Sequence, residues 1–394
     1  MKLSDIDKLR DAGLITDEQR QKIIEKFELK EDGGKFLAII SMIGAVLVVA
    51  GLVLLISANW EEIPRFVKIA LGLALMLGAH AGGWWLREVH GKYRKSGEAL
   101  HLIGSGLFLG NIALIGQIYH LSSRPPNAIL LWWLGIAALP WLLRSKAQHI
   151  LSLLAFGLWF GLEINESHSW FYFGSDQYQI ILYALLGLIY LGLGHCLRRT
   201  SFAEFAGATQ KLGLLTFHLF MYPLTWTIFY HGDPRLSAGS MAVFWGLAAI
   251  AAALLVAGLR GEKELTTQWR WTWGGALVAS IGLMVLSLYL FRPLVSGLRP
   301  WEFEHWNNWI ASITLFVVCL LQIQVGLQVR SPFMVNLGVT FVALHIFTTY
   351  LVLIGTMART GVMFLVSGVF LIAFGIYLEK KRRALLQRMN SKPA

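Results

Sequence analysis

The sequence predicts an all-α, polytopic membrane bundle of about twelve transmembrane helices, with a small N-terminal helical hairpin on the cytoplasmic side. Three observations predict it. Hydrophobic residues make up 56% of the 394 and charged residues only 14%, whereas a soluble domain carries about a quarter charged residues. The apolar residues fall in continuous runs rather than alternating, which excludes barrel strands. Basic residues collect on alternate loops, as the positive-inside rule requires.

The head, 1–35, reads as two short helices. Ser4 suits the cap of the first, and Gly13 suits its left-handed end. Thr16-Asp17-Glu18-Gln19 has the form of a capping box, with Gln19 at the third helical position. Leu9, Leu14, Ile15, Ile23, Ile24 and Phe27 supply a small apolar face, too small to fold strongly alone. Such a pair rests on the membrane or on the cytoplasmic loops, or it docks a protein partner or a second copy.

Apolar segments follow at 36–58, 66–86, 97–119, 127–143, 147–163, 178–197, 208–230, 238–259, 272–292, 306–328, 332–354 and 360–378. A spanning helix needs roughly 20 apolar residues. The pair 127–143 and 147–163 is short and separated only by Arg144-Ser145-Lys146, so it reads as two spans or as a re-entrant pair. Segment 36–58 is expected to act as an uncleaved signal anchor. The link 198–207 divides the membrane part into halves, 36–197 and 208–378, and 379–394 forms a basic tail.

With the N-terminus inside, seven of the 34 lysines and arginines fall outside: Arg65, Lys68, Arg124, Arg235, Arg292, Arg299 and Arg359. The other 27 lie on the cytoplasmic side, which needs an even number of helices and both termini cytoplasmic. The net charge of +11 is therefore a topology signal. Nucleic-acid binding would want basic residues clustered with stacking aromatics, and here they are scattered at helix ends. Short loops and a small head fit a bacterial inner membrane protein, with membrane lipids as its surroundings.

Ten of the 16 tryptophans, among them Trp84, Trp85, Trp141, Trp269, Trp271 and Trp273, lie near the ends of segments, where indole favours the headgroup region. No Asp, Glu, Lys or Arg falls at the middle of a segment; Glu98, Glu163 and Lys211 lie near ends and can reach water. The deep titratable residues are His80, His218 and His345, read as hydrogen-bonded core residues in preference to proton relays. Cys196 and Cys319 imply neither a disulfide framework nor a metal site. Phosphate loops, nucleophile elbows and zinc-protease spacings are missing, so no cofactor and no metal are expected.

Polar chemistry concentrates at two outer hairpins. In the first, Asn59, Trp60 and Pro64 suit a capped tight turn, and Glu61, Glu62 and Arg65 suit an outward mouth. In the second, Gly106, Gly110 and Gln117 share a helical face, with His120 and Arg124 close to it. Gly106-x3-Gly110 permits close helix contact, and Gln117 is expected to point into the bundle. The substrate-binding candidates are Asn59, Glu61, Glu62, Arg65, Gln117, His120 and Arg124.

Three separated patches carry a resemblance: Leu9…Gly13-Leu14-Ile15-Thr16…Gln19, then Ala58-Asn59-Trp60…Ile63-Pro64-Arg65…Lys68, then Gly116-Gln117-Ile118-Tyr119-His120. Over about the first 150 residues the chain resembles the bacterial predicted membrane proteins grouped as domain of unknown function 2157. The resemblance implies a polytopic inner membrane protein and carries over no catalytic or binding residue.

Three function classes remain open at this point. The first is transport or flipping of an anionic or amphiphilic envelope compound. The second is a membrane enzyme acting on a lipid-linked substrate at the outer leaflet, with Glu61 or Glu62 as base or metal ligand. The third is a non-catalytic subunit or scaffold that recruits a partner through residues 1–35.

Overall fold

The computed structural model describes residues 10–26, 62–91, 93–121, 124–169, 171–174, 176–226, 238–262, 265–294, 300–355, 368–369, 371–377 and 379–383. Every regular element among them is helical. The chain divides into two compact units, Met1–Leu71 and Gly72–Ala394.

In the first unit, Gly13 takes φ +71° and its N–H bonds to the Arg10 carbonyl. A side chain at that φ would be strained, so glycine ends the turn. Helix α1, Asp17–Lys26, follows. The Thr16 N–H donates to Gln19 Oε1 at 3.0 Å, and the Gln19 N–H donates to Thr16 Oγ1 at 3.3 Å. This reciprocal pair is the capping box that the spacing predicts.

Helix α2, Arg65–Trp84, runs into a π-helical turn at Trp85–Val89. Then come α3 (Arg94–Ile118), α4 (Pro125–Ile136), α5 (Leu139–Leu143) and α6 (Lys146–Asn165). Pro140 lacks an N–H and its ring meets the carbonyl four residues back, which parts α4 from α5. Arg144 turns the chain in the left-handed conformation, and Ser145 caps α6. The segments 127–143 and 147–163 are thus each long enough to span, as Pro125–Leu143 and Lys146–Asn165.

The later helices are α7 (Asp176–Leu197), α8 (Ala203–Met221), α9 (Ala238–Leu259), α10 (Thr267–Leu294), α11 (Pro300–Gln328) and α12 (Pro332–Gly355), with a 3-10 turn at Pro223–Thr225. Helix α8 begins five residues earlier than the expected segment 208–230, and Pro223 stops it at Met221. Among the described residues, eight helices are long and apolar enough to cross a membrane. The expected number was about twelve. Segment 36–58 and most of 360–378 lie outside the described residues.

The principal core is built by α6–α12, around Tyr178, Leu182, Leu188, Phe217, Phe244, Leu277 and Leu315. Helices α7 and α8 approach most closely. A Cβ on Gly187 would sit 2.5 Å from the Phe217 nitrogen, and one on Gly213 would sit 2.5 Å from the Leu191 nitrogen. Backbone contact of this kind is how helices pack where lipid removes the hydrophobic drive.

Large apolar side chains remain on the outside, including Leu75, Leu77, Leu142, Leu219, Ile250 and Ile313. A lipid-facing surface is expected to look this way, because hydrocarbon solvates leucine as well as a core does. Exposed tryptophans gather at both ends, with Trp141 and Trp271 at one and Trp226, Trp245 and Trp309 at the other. Trp273 departs from the expected anchoring role: it is 2% exposed and sits in the core.

The α3 face that packs also departs from expectation. Gly106 and Gly110 would accept a Cβ with nothing within 4 Å, and Gln117 is exposed. The buried polar residue is Asn111 on another face, whose Nδ2 donates to the carbonyls of Gly72 and Leu107 at 3.0 and 2.9 Å. Asn111 spends both amide hydrogens inside the α2–α3 contact, whereas Gln117, one residue from the helix end, reaches out.

Candidate functional site

Three chain connections meet at one end of α7–α12: the link after α7, the connection from α9 to α10, and the turn between α11 and α12. Together they enclose a polar pocket of about 150 Å³. His195 and Arg198 come from the end of α7. Gln210 and Lys211 come from the second and third turns of α8, and Glu262 comes from the α9–α10 connection. Leu191, Leu214, Trp273, Val325 and Phe333 form an apolar wall.

Local structure places each of these groups. Arg199 Nη2 donates to the carbonyls of Ala257 and Gly258 at 2.9 and 2.7 Å. It thereby caps the C-terminus of α9, where unpaired carbonyls attract a cation. This clamp holds the α9–α10 connection beside α7. Glu262, 7% exposed, accepts from Arg198 Nη1 at 2.8 Å, and its Oε2 lies 3.1 Å from His195 Nδ1. Arg198 Nη2 donates to Gln210 Oε1 at 2.9 Å, while the buried Gln210 Nε2 makes no hydrogen bond to the protein. The Lys211 ammonium lies 5.7 Å from the centre of the Phe333 ring.

Among the described residues that line the pocket, Arg198 and Lys211 set two cations against one carboxylate, which makes this lining net positive. A positive pocket with an apolar wall fits an anion attached to an apolar body. Guanidinium and ammonium groups together bind phosphate or carboxylate oxygens. Among the described residues no group of three or more His, Cys, Asp or Glu side chains is arranged to hold a metal ion.

A second polar cluster lies at the opposite end of α7. Arg124 Nη2 donates to Glu163 Oε1 at 3.0 Å, and Ser169 Oγ donates to the same oxygen at 2.5 Å. Glu163, expected to reach water, is 9% exposed and paired. Of the sequence candidates, Asn59 and Glu61 lie outside the described residues. Glu62 and Arg65 are exposed in the first unit. His120 takes φ +49° just beyond the end of α3, and the Leu121 N–H closes the turn onto the Gly116 carbonyl at 2.9 Å. Gln117 and His120 are exposed, and Arg124 is the described candidate with a buried partner.

Sequence reasoning missed the pocket at the other end. Arg198 falls among the basic residues expected inside, Lys211 reads as a residue near a segment end that can reach water, and Glu262 is not singled out. The available signals were the spacing of His195 and Arg198, which puts them on one helical face, and the adjacent Gln210-Lys211 in an otherwise apolar segment. Of the deep histidines, His80 Nδ1 lies 3.1 Å from His101 Nδ1, and His218 Nδ1 lies 2.9 Å from the Leu214 carbonyl.

The fold and its lipid-like surface define a multi-pass helical membrane protein. Residues 7–149 match the family described as "Predicted membrane protein (DUF2157)". The match ends before α7, so the pocket lies wholly outside it. No curated protein and no solved structure matches the chain.

Proposed function

We propose that this protein moves an anionic amphiphile of the cell envelope across the membrane, and that the pocket between Arg198, Lys211 and Glu262 is its loading site. One observation carries the reading: among the described lining residues, two cations stand against a single carboxylate and face an apolar wall at one end of the helical bundle. An anionic headgroup offsets the unbalanced charge, and a tail follows the apolar wall without leaving hydrocarbon. By the charge distribution, the pocket lies on the cytoplasmic side. The opposite mouth is then the region of Arg124, Glu163, Gln117 and His120.

The test uses purified protein in phosphatidylcholine vesicles containing fluorescent phosphatidylglycerol, with external dithionite reporting the outer leaflet. The wild type should move the probe faster than protein-free vesicles. Arg198→Gln combined with Lys211→Gln should return the rate to the protein-free value while the protein stays folded. A rate untouched by the double substitution would remove the pocket from the mechanism.

A further inference from the structure

Four buried polar atoms that make no hydrogen bond to the protein lie along one seam of the second half: Gln322 Oε1, His218 Nε2, Tyr222 Oη and His345 Nδ1. Gln322 and His218 have no exposed surface, and Tyr222 and His345 are each 8% exposed. In a membrane interior an orphaned polar group is costly, since no bulk solvent relieves it.

The seam begins at the pocket. Helices α8 and α12 both start there, through Gln210 and Lys211 on one and Phe333 and Met334 on the other, so they run in parallel. Lys211, Leu214, His218 and Tyr222 recur every three or four residues and share a face of α8. Met334, Gly338, Phe341 and His345 do the same on α12. The two faces meet, for the Phe341 ring lies 5.2 Å from His218 and 6.0 Å from Tyr222. Helix α11 adds Gln322, whose Nε2 donates to the Met334 carbonyl at 3.1 Å. By helical rise, Tyr222 and His345 stand about 16 Å beyond Lys211 and Met334, roughly half the hydrocarbon thickness.

The chemistry of His218 is set by its backbone contact. A carbonyl only accepts, so Nδ1 carries the hydrogen towards Leu214, and Nε2 of the neutral ring is a bare acceptor. Among the described residues, most other titratable groups on the elements packed against α8 are already engaged. His149 bonds Thr209, Tyr183 bonds Gly157, Tyr190 bonds Leu153, Glu163 bonds Arg124, and His195 pairs with Glu262. Asp176 lies at the exposed start of α7, and the buried Cys319 thiol on α11 is a weak donor. Among the described groups, His345 is the one best placed to work with His218.

We propose that this seam is a water-bridged proton path leading from the pocket through His218, Tyr222 and His345 towards the opposite end of the bundle. His218 Nε2 takes a proton from a hydronium ion, leaving water and an imidazolium. The imidazolium returns that proton from the same Nε2 to the water on the far side, while the Nδ1 hydrogen stays on Nδ1, donated to the Leu214 carbonyl. Nothing is oxidised or reduced. The inference rests on the transport reading only for what the protons drive.

The full chain in phosphatidylcholine vesicles with trapped pyranine, under a valinomycin–potassium diffusion potential, reads the path directly. Wild-type vesicles should change luminal pH faster than protein-free ones. Tyr222→Phe, which keeps the ring and removes the hydroxyl, and His218→Gln should each slow this by about tenfold. An unchanged melting temperature for Tyr222→Phe shows that the fold is kept. A wild-type rate equal to that of protein-free vesicles, or rates unchanged in both variants, overturns the path. Proton flux without movement of phosphatidylglycerol sinks the transport reading alone, and phosphatidylglycerol movement without proton flux sinks the path alone.

Discussion

At the residue scale, Glu262 decides the electrostatics of the pocket. Its carboxylate is the anion that Arg198 and His195 share, and it is almost fully covered. Removing it leaves the guanidinium beside unpaired polar groups, and losing one partner of a covered ion pair costs more than the pair gains. Arg198 is half exposed, so the cost is moderated by solvent. Glu262→Gln should lower stability by about 1–2 kcal/mol, read as a fall in melting temperature in detergent. Because it makes the pocket more positive, it should also tighten binding of an anionic amphiphile, measured by native mass spectrometry. Weaker binding in a folded variant would contradict the charge argument.

At the element scale, the α7–α8 contact holds His195 and Arg198 against Gln210 and Lys211. Gly187 and Gly213 allow that contact, and each would drive a Cβ into the partner's backbone. Backbone cannot give way as a side chain can. Gly213→Val should therefore destabilise by about 3 kcal/mol, at the upper end of overpacking costs. Gly106→Val, whose added atoms meet open space, should be close to neutral. Melting temperatures of the two variants, measured side by side, check the contrast. The tail helix is a smaller case. Arg382 Nε donates to Asn336 Oδ1 at 2.7 Å, which docks residues 379–383 on α12. Hydrogen bonds from Arg383 and Arg382 hold the Glu379 carboxyl below its ordinary range. A depressed carboxylate stabilises above its unfolded pKa and loses that contribution as pH falls through the folded value. The protection of the 379–383 amides, as exchange rates divided by the intrinsic rate at each pH, should fall on acidification below the ordinary carboxylate range and stay constant between neutral and mildly basic pH.

At the scale of the whole molecule, the structure brings the connections after α7, α9 and α11 to one end. The charge pattern predicts a cytoplasmic side for all three, and the proposed loading site depends on that side. Single cysteines placed at Lys263 and Ser331 in a Cys196→Ala, Cys319→Ala background should be labelled by a membrane-impermeant maleimide from the cytoplasmic side. A cysteine at Glu166 should be labelled from the opposite side. Labelling of all three from one side would break the threading on which the transport reading depends.

Hydropathy, loop charge and local capping were legible in the sequence because they are one-dimensional properties. A run of apolar residues is apolar wherever it packs, and Thr16 reaches Gln19 through a single turn. Glu262, Arg198 and Lys211 form a pocket because Gly187 and Gly213 let α7 and α8 close on one another and Arg199 brings the α9–α10 connection, some sixty residues on, beside α7. The inward face of α3 was likewise settled by what α2 presents, which is why Asn111 is buried and Gln117 is not. Sequence alone determined the solvent of this chain and the ends of many of its helices, since both follow from the free energy of each residue in lipid or water. Which polar groups meet inside was decided only by tertiary packing, because that depends on the rotation and approach of helices, and lipid, as apolar as they are, leaves this to side-chain fit.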